Sequence, residues 1–349
     1  MKKMLIILLV LSLGLGFAQK SIDINVVNGH PAVFLWVSQL TKTFIPAVDS
    51  ALEGTDYSVN WEEFYGGTLA KVGGELETLE AGLAEVGIVP TVFEPSNLPL
   101  QNVTYVSPFG SADPGIVANI LNEMHQTIPA MIESWQSFDL EYLGSGFTLD
   151  NYMLMTKFPV NSLDDLKGKK IGAPGPAVNW LDGTGAVGVS GNLTTYYNDI
   201  QTGVYDGVIV FATAAAPSKL YEVAPYITLT NFGSQYAGAL VANKSWYDDQ
   251  PEQVQAALRA GAAAYGVGFE EAIKARTAAS LEAMKAAGAT ITELPDDVRV
   301  AWAASLPNIP KKWATDLDAK GLPGSEVLAA FMQGLRDAGE TPARDWDKE

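Results

Sequence analysis

The stretch from Pro251 to Gly288, PEQVQAALRAGAAAYGVGFEEAIKARTAASLEAMKAAG, has the alanine content and spacing of one long helix. Proline is favoured in the first turn of a helix, as Pro251 would be here. About 37 residues at 1.5 Å per residue give a length of about 55 Å, which is more than one small domain needs. Gly266 and Gly268 are the expected bend points. The stretch therefore predicts a helix that braces two structural units.

The first unit precedes this helix and has a β-α-β-α-β pattern. Its strands are expected at 22–27, 57–64 and 84–89, and its helices at 31–48 and 75–82. Phe34 and Trp36 would lie on different faces of the first helix, so at least one of them is expected in the core. This order of elements is typical of a mostly parallel sheet with helices on its faces.

A second α/β unit follows. Its strands are expected at 151–156, 169–171 and 207–211, with a helix at 196–202, while segments 139–143 and 237–243 are strands at its borders. Prolines divide the chain beyond the long helix into helical segments. We expect lobe I at 19–143 plus about 234–265. Lobe II is expected at 144–233 plus about 266–349, with C-terminal helices packing across both lobes. Clefts between such units are the usual sites for small ligands.

The N-terminus has the pattern of a secretory signal peptide. Lys2 and Lys3 precede the apolar stretch Met4–Phe17, and small residues precede a cleavage point near Ala18. Fourteen apolar residues are too few for a membrane span, which needs about 20. The chain has no cysteine, so neither a disulfide nor a thiol-linked lipid is expected. These features predict an exported protein that is free in the periplasm.

Charge and side-chain chemistry exclude several functions. The formal net charge is −18, and −20 without Lys2 and Lys3, which argues against nucleic acid or an anionic membrane as partner. The two histidines, His30 and His125, are far apart and expected to be structural, although His30 could line a cleft. Gly183–Gly188 matches a dinucleotide fingerprint but lacks the preceding strand. We expect no catalytic residues, no metal and no cofactor, and therefore no enzyme.

Several segments resemble the solute-binding proteins of tripartite ATP-independent periplasmic (TRAP) transporters, the DctP-like family. The matching segments, in family order, are Gly66–Leu69 with Glu75–Gly82, Val106–Phe109, Leu163–Ile171, Tyr197–Gly207 and Asn243–Glu252. The resemblance implies a two-lobed, type II-like α/β fold with a hinge and a long helix across both lobes. It also implies that ligand binding closes the lobes and that the closed protein docks on a small and a large membrane subunit. These subunits import the ligand, which in most relatives is an organic acid, with a sodium gradient. A monomer is expected.

The chain departs from the family at the positions that hold the ligand. The signature arginine, which follows Lys-Ile in the family and grips a carboxylate, is replaced by Gly172. By spacing, a second arginine, an asparagine, an aromatic residue and an acid of the family fall on Tyr152, Val210, Leu193 and Pro90. Only the asparagine after the first strand is retained, as Asn28. A site that usually holds an anion is thus expected to have apolar walls.

Burial of apolar ligand surface can replace ion pairing as the source of binding free energy. Loss of an arginine–carboxylate pair forfeits roughly 1.5–3 kcal/mol per charged hydrogen bond. Burial of about 250 Å² of apolar ligand surface gains about 6 kcal/mol. We therefore predict a largely apolar or aromatic ligand. The expected lining residues are Asn28, His30, Phe34, Trp36, Pro90, Tyr152, Gly172, Trp180, Leu193 and Val210.

Two alternatives remain. The first is an ordinary organic acid bound through backbone amides, Asn28 and Lys71, the basic residue in the glycine-rich loop. The second is an exported enzyme, which the sequence disfavours because it shows no nucleophile–base pair and no metal cluster.

Overall fold

A computed structural model describes residues 19–349, so the predicted signal peptide at 1–18 lies outside the described residues. The strands, in chain order, are β1 (Lys20–Asn28), β2 (Tyr57–Tyr65), β3 (Val86–Val89), β4 (Leu140–Leu149), β5 (Tyr152–Thr156), β6 (Lys170–Ala173), β7 (Val187–Ser190), β8 (Gly207–Phe211), β9 (Tyr226–Leu229), β10 (Gln235–Asn243) and β11 (Thr290–Glu293). They form two separate sheets, and these sheets define the two lobes.

Helices cover both sheets and the C-terminal part of the chain. The α-helices are α1 (Leu35–Gln39), α2 (Ile45–Leu52), α3 (Glu75–Glu80), α4 (Val103–Val106), α5 (Pro114–Thr127), α6 (Pro129–Gln136), α7 (Tyr196–Thr202), α8 (Ala212–Ala215), α9 (Lys244–Asp248), α10 (Glu252–Ala286), α11 (Asp296–Ser305), α12 (Ile309–Asp318) and α13 (Gly324–Asp337). A π-helical turn at Leu40–Phe44 joins α1 to α2, and 3₁₀ segments lie at Thr91–Phe93, Pro99–Asn102, Leu163–Leu166, Gly175–Leu181 and Leu220–Glu222. No helix between residues 19 and 349 is both long and apolar enough to cross a membrane.

Each sheet contains one strand that the chain adds after it has passed through the other lobe. This strand is β10 in the first sheet and β11 in the second. The first sheet has the order β2-β1-β3-β10-β4, with β1 parallel to β2 and β3 and β10 antiparallel to its two neighbours. The second has the order β11-β9-β5-β8-β6-β7. The chain passes between the sheets after β4, after β9 and along α10. These three crossings confirm the predicted two-lobed α/β fold.

The predicted bracing helix is α10. It runs without interruption from Glu252 to Ala286, about 52 Å at 1.5 Å per residue. It packs on α2 and β4 of the first lobe and on α8 of the second. A Cβ at Gly266 would lie 2.6 Å from Ser145 Oγ and one at Gly268 would lie 2.6 Å from Thr43 Cγ2, whereas bending at these glycines stays a prediction. The glycines allow close packing.

The predicted strand at 139–143 was too short. The strand β4 continues to Leu149 and pairs with β10 through two register shifts. Glycine is disfavoured inside strands, and Gly144 and Gly146 therefore suggested an end. In the structure Gly144 adopts φ +98°, and a Cβ at Gly146 would lie 2.1 Å from the Tyr236 ring. The strand thus extends six residues past its predicted end at 143, and the lobe boundaries stay predictions.

Two further local predictions differ from the structure. The helix expected at 31–48 begins only at Leu35, and the backbone at Phe34 is extended (φ −79°, ψ 144°). Phe34 and Trp36 therefore do not lie on opposite helix faces; their rings stack 4.8 Å apart at 2°. The Gly183–Gly188 segment, which matches the dinucleotide fingerprint, leads not into a helix but into the strand β7, which pairs with β6.

Candidate functional site

A cavity lies between the two sheets at the carboxyl ends of β1, β3, β6 and β8. Ligands bind at this edge in open α/β sheets, because the loops that follow the strands converge there. The space not filled by protein atoms is about 430 Å³, including its opening to solvent. The lining residues are His30, Trp36, Pro90, Val92, Phe93, Tyr105, Phe147, Leu149, Tyr152, Pro174, Leu193, Tyr196, Ile209, Val210, Phe211 and Ala237.

The turn after β1 places His30 at the cavity. Asn28 is buried and fixes this turn: its side-chain oxygen accepts from the His30 N–H at 2.9 Å, and its amide donates to the Ile88 carbonyl at 3.0 Å. Glu75 accepts from the Gly29 N–H at 2.9 Å, and a Cβ at Gly29 would lie 2.4 Å from the Val72 nitrogen. Asn28 therefore positions a cavity residue, while its own polar atoms are already bonded.

Aromatic rings form the first-lobe wall. The His30 ring meets the Trp36 ring edge-on at 5.2 Å, and Trp36 is sandwiched between Phe34 at 4.8 Å and Phe147 at 6.0 Å. The Phe211 ring from the second lobe lies 6.0 Å from Trp36. The rings of this wall therefore contact one another, and Phe211 extends the contact to the second lobe.

The second-lobe wall comes from β5 and β8. Tyr152 and Phe211 are partners in the antiparallel pair of strands, and their rings are 5.0 Å apart. The Tyr152 and Tyr105 hydroxyls share a hydrogen bond of 2.8 Å. The Trp180 ring lies behind these tyrosines, 6.2 Å from Tyr105 and 5.7 Å from Tyr152. Tyr105 and Tyr152 therefore separate Trp180 from the cavity.

The structure brings together some of the sequence-predicted site residues. The cavity lining includes His30, Trp36, Pro90, Tyr152, Leu193 and Val210. The other predicted residues, Asn28, Phe34, Lys71, Gly172 and Trp180, are not part of it. Contact of any of these residues with a ligand stays a prediction.

The five predicted residues outside the cavity lining lie elsewhere for different reasons. Phe34 packs behind Trp36, and Trp180 behind the tyrosines. Lys71 is exposed. A Cβ at Gly172 would lie 3.1 Å from both the Tyr205 ring and Val208, so a side chain there would start against these residues rather than in the cavity.

Sequence reasoning missed several aromatic lining residues, among them Phe93, Tyr105, Phe147, Tyr196 and Phe211. Phe211 is the last residue of a strand that was predicted correctly, and the rule that ligands bind at strand ends would have found it. Phe147 was missed because the strand β4 was ended too early. For Tyr105, which reaches the cavity from α4, the local sequence gives no such signal.

The cavity is uncharged at neutral pH. None of its lining residues is Lys, Arg, Asp or Glu. Burial lowers the pKa of His30 to about 3, so its imidazole is neutral. Burial also raises the pKa of Tyr152 and of Tyr196 well above the ordinary value, so both keep their protons. A ligand carboxylate would meet no opposite charge here. No group of three or more His, Asp or Glu that could hold a metal occurs in the described part of the chain.

A buried acid, Asp150, lies at the crossing from β4 to β5. Its carboxylate accepts from the Thr213 hydroxyl at 2.5 Å and from the Thr213 N–H at 3.2 Å. Burial raises the pKa of Asp150 to about 6. The folded protein therefore binds a proton more tightly than the unfolded chain, whose Asp pKa is about 3.9. The contribution to stability is complete below about pH 4 and is lost as the pH rises through 6.

We expect Asp150→Asn to abolish this pH dependence. Two pKa units correspond to about 3 kcal/mol. The free energy of unfolding of the variant minus that of wild type should therefore be larger at pH 7 than at pH 4 by about that amount. Urea titrations of both proteins at the two pH values measure it. Asp249→Asn, at an exposed carboxylate, controls for the change in net charge. An equal difference between variant and wild type at both pH values would contradict the expectation.

A family profile and two curated relatives match the sequence. The profile of the bacterial extracellular solute-binding proteins, family 7 (DctP), matches residues 49–316. The ectoine-binding periplasmic protein TeaA of Halomonas elongata is 32% identical over 143 residues, 40% of this chain and 40% of that protein. The C4-dicarboxylate-binding periplasmic protein DctP of Rhodobacter capsulatus is 26% identical over 287 residues, 79% of this chain and 81% of that protein.

Solved structures share the fold. The ectoine-binding protein of the TeaABC TRAP transporter of Halomonas elongata has a TM-score of 0.77 at 22% identity, covering 90% of this chain and 100% of that chain. A marine metagenome TRAP solute-binding protein specific for aromatic acid ligands has a TM-score of 0.80 at 18% identity, covering 90% of this chain and 99% of that chain. Both likenesses extend over the two lobes.

Proposed function

Because the chain belongs to family 7 of the bacterial extracellular solute-binding proteins, we propose that it is the solute receptor of a TRAP transporter for a largely apolar or aromatic ligand. The ligand enters the cavity between the lobes, the lobes close on it by hinge motion, and the closed protein delivers it to the small and large membrane subunits. The receptor works as a monomer in the periplasm after cleavage of its signal peptide near Ala18. We propose no enzymatic activity.

One observation carries the choice of ligand: uncharged and mostly apolar side chains from both lobes line the cavity. The cavity lining contains no lysine or arginine that could take the place of the arginine expected in the family and absent by spacing from this chain. A carboxylate transferred into this cavity would lose its hydration without an ionic partner, which is costly. Apolar ligand surface gains about 25 cal/mol per Å² on transfer from water. The free energy of transfer into this cavity therefore favours an apolar ligand over a carboxylate.

A second candidate is an organic acid. It is favoured by the relatives, because one binds C4-dicarboxylates and another is specific for aromatic acids. In this chain such a ligand would need backbone amides, Asn28 or Lys71. The bonded amide of Asn28 and the exposed position of Lys71 make this the weaker candidate.

Thermal unfolding with a ligand panel tests the proposal. The protein is first unfolded, dialysed and refolded, so that any co-purified molecule is removed. We expect neutral aromatic compounds to raise the melting temperature by several degrees, since a ligand at a hundred times its Kd adds about 2.7 kcal/mol of stability. Succinate and glucuronate should give no shift. Shifts with these acids alone would support the second candidate, and mass spectrometry of the molecule released on unfolding would then identify it.

A further inference from the structure

Three buried polar atoms of residues that line the cavity have no hydrogen-bond partner within residues 19–349. They are Nδ1 of His30, Nε1 of Trp36 and the hydroxyl of Tyr196. Their side chains are buried, with exposed fractions of 3%, 3% and 1%. Buried polar groups are nearly always hydrogen-bonded in native proteins, because an unpaired one destabilises the fold. Three of the fourteen such atoms between residues 19 and 349 belong to residues that line this one cavity, where a bound molecule could supply their partners.

These atoms come from both lobes. His30 and Trp36 follow β1 of the first sheet, whereas Tyr196 opens α7 beside the second sheet. An indole N–H can only donate a hydrogen bond, a tyrosine hydroxyl can donate or accept, and a neutral imidazole does one at each nitrogen. The group that meets Trp36 must thus be an acceptor, and the group that meets Tyr196 can be either.

We propose that the cavity selects a neutral aromatic molecule with a hydrogen-bond acceptor for Trp36 at one end and a second polar group for Tyr196 at the other. This rests on the proposed function, because it concerns the same cavity. Such a molecule binds both lobes at once, so its polar groups favour the closed protein. A purely apolar ligand would fill the same space and leave the three polar atoms unpaired.

Three probes of nearly equal size separate the contributions of polar groups, apolar surface and negative charge to the binding affinity. 4-Hydroxyacetophenone carries a carbonyl and a hydroxyl at opposite ends of its ring, 4-isopropyltoluene replaces both by alkyl groups, and 4-hydroxybenzoate replaces the carbonyl group by an anion. Isothermal titration at pH 6.5 with refolded protein measures each affinity. We expect 4-hydroxyacetophenone to bind at least about tenfold more tightly than 4-hydroxybenzoate, since a buried charge without a partner is costly.

Two variants remove single polar groups and keep the rings. Trp36→Phe removes the indole N–H and preserves an aromatic ring against Phe34, and Tyr196→Phe removes the hydroxyl. Each variant should weaken 4-hydroxyacetophenone roughly three- to tenfold, the usual effect of one buried neutral hydrogen bond. Each should weaken 4-isopropyltoluene by a smaller factor, because that probe makes no hydrogen bond with either group and loses only apolar contact. The matched controls are Trp135→Phe and Tyr236→Phe, which change buried rings outside the cavity and should affect neither probe.

The outcomes distinguish this inference from the proposed function. If the two neutral probes bind and both variants bind 4-hydroxyacetophenone as well as wild type does, apolar capture stands and polar recognition is wrong. If only 4-hydroxybenzoate binds, the apolar ligand class itself is wrong. If no probe binds, both are overturned. Melting temperatures of the four variants show whether a lost affinity is only lost folding.

Discussion

Trp180→Ala is expected to lower the free energy of unfolding by about 4–6 kcal/mol. Removal of a buried tryptophan side chain costs about 3–5 kcal/mol, and the unpaired carbonyl left behind adds about 1 kcal/mol. Trp180 is 0% exposed, and its indole N–H donates to the Tyr105 carbonyl at 2.7 Å. Its ring also packs on Phe232 at 5.2 Å, and its own carbonyl accepts from the Trp302 indole at 2.7 Å.

The large effect follows from the position of this side chain. The Trp180 side chain joins the second lobe to Tyr105 of α4 and packs on Tyr152 and Phe232, so its loss loosens these contacts together, whereas the backbone carbonyl that accepts from Trp302 of α11 remains in the variant. Urea unfolding followed by circular dichroism measures the change. Trp180→Phe is the matched control, because it keeps an aromatic ring and should cost only about 1–3 kcal/mol. A loss below about 2 kcal/mol for the alanine variant would show that this contact does not hold the lobes together.

Tyr152→Arg is expected to convert the cavity into an anion site. Tyr152 lines the cavity and occupies, by spacing, the position of a family arginine. Without a ligand the buried guanidinium competes with Thr213 for the nearby Asp150 carboxylate, which Thr213 already bonds, and the variant should lose several kcal/mol of stability. An aromatic carboxylate can pair with it through two charged hydrogen bonds. At roughly 1.5–3 kcal/mol each, these should raise the affinity for benzoate by at least about a hundredfold over wild type.

The measurement is the benzoate-dependent rise in melting temperature, which should be large in Tyr152→Arg and absent in wild type. Tyr152→Met loses the hydrogen bond to Tyr105 without adding charge, and it separates the cost of losing tyrosine from the effect of the cation. Gly172→Arg should give no comparable gain, because that side chain would begin against Tyr205 and Val208. A variant stabilised equally by benzoate and by an uncharged aromatic would contradict this interpretation of the site.

Much of the fold could be predicted from the sequence because it depends on local patterns. The helix α10 was predicted within two residues at each end, and the strands β1, β5 and β8 within about two residues at each end. The spacing of apolar residues along each element indicates which face is buried, and this spacing can be read without knowledge of distant residues. The strands β7, β9 and β11, which have four residues each, were missed, although β3 and β6 are equally short and were predicted.

The sequence by itself determined that the chain has two α/β units under one long helix, and by the spacing of its family motifs it predicts that the ligand-holding arginines are replaced. Both conclusions come from residue types at given spacings along the chain. Only the tertiary structure decided which side chains face the cavity, because His30, Phe147 and Tyr196 are far apart in sequence and meet through packing. The same is true of Gly146, whose missing side chain makes room for Tyr236. Local sequence specifies strands and helices, but close packing between distant residues shapes the walls of the site.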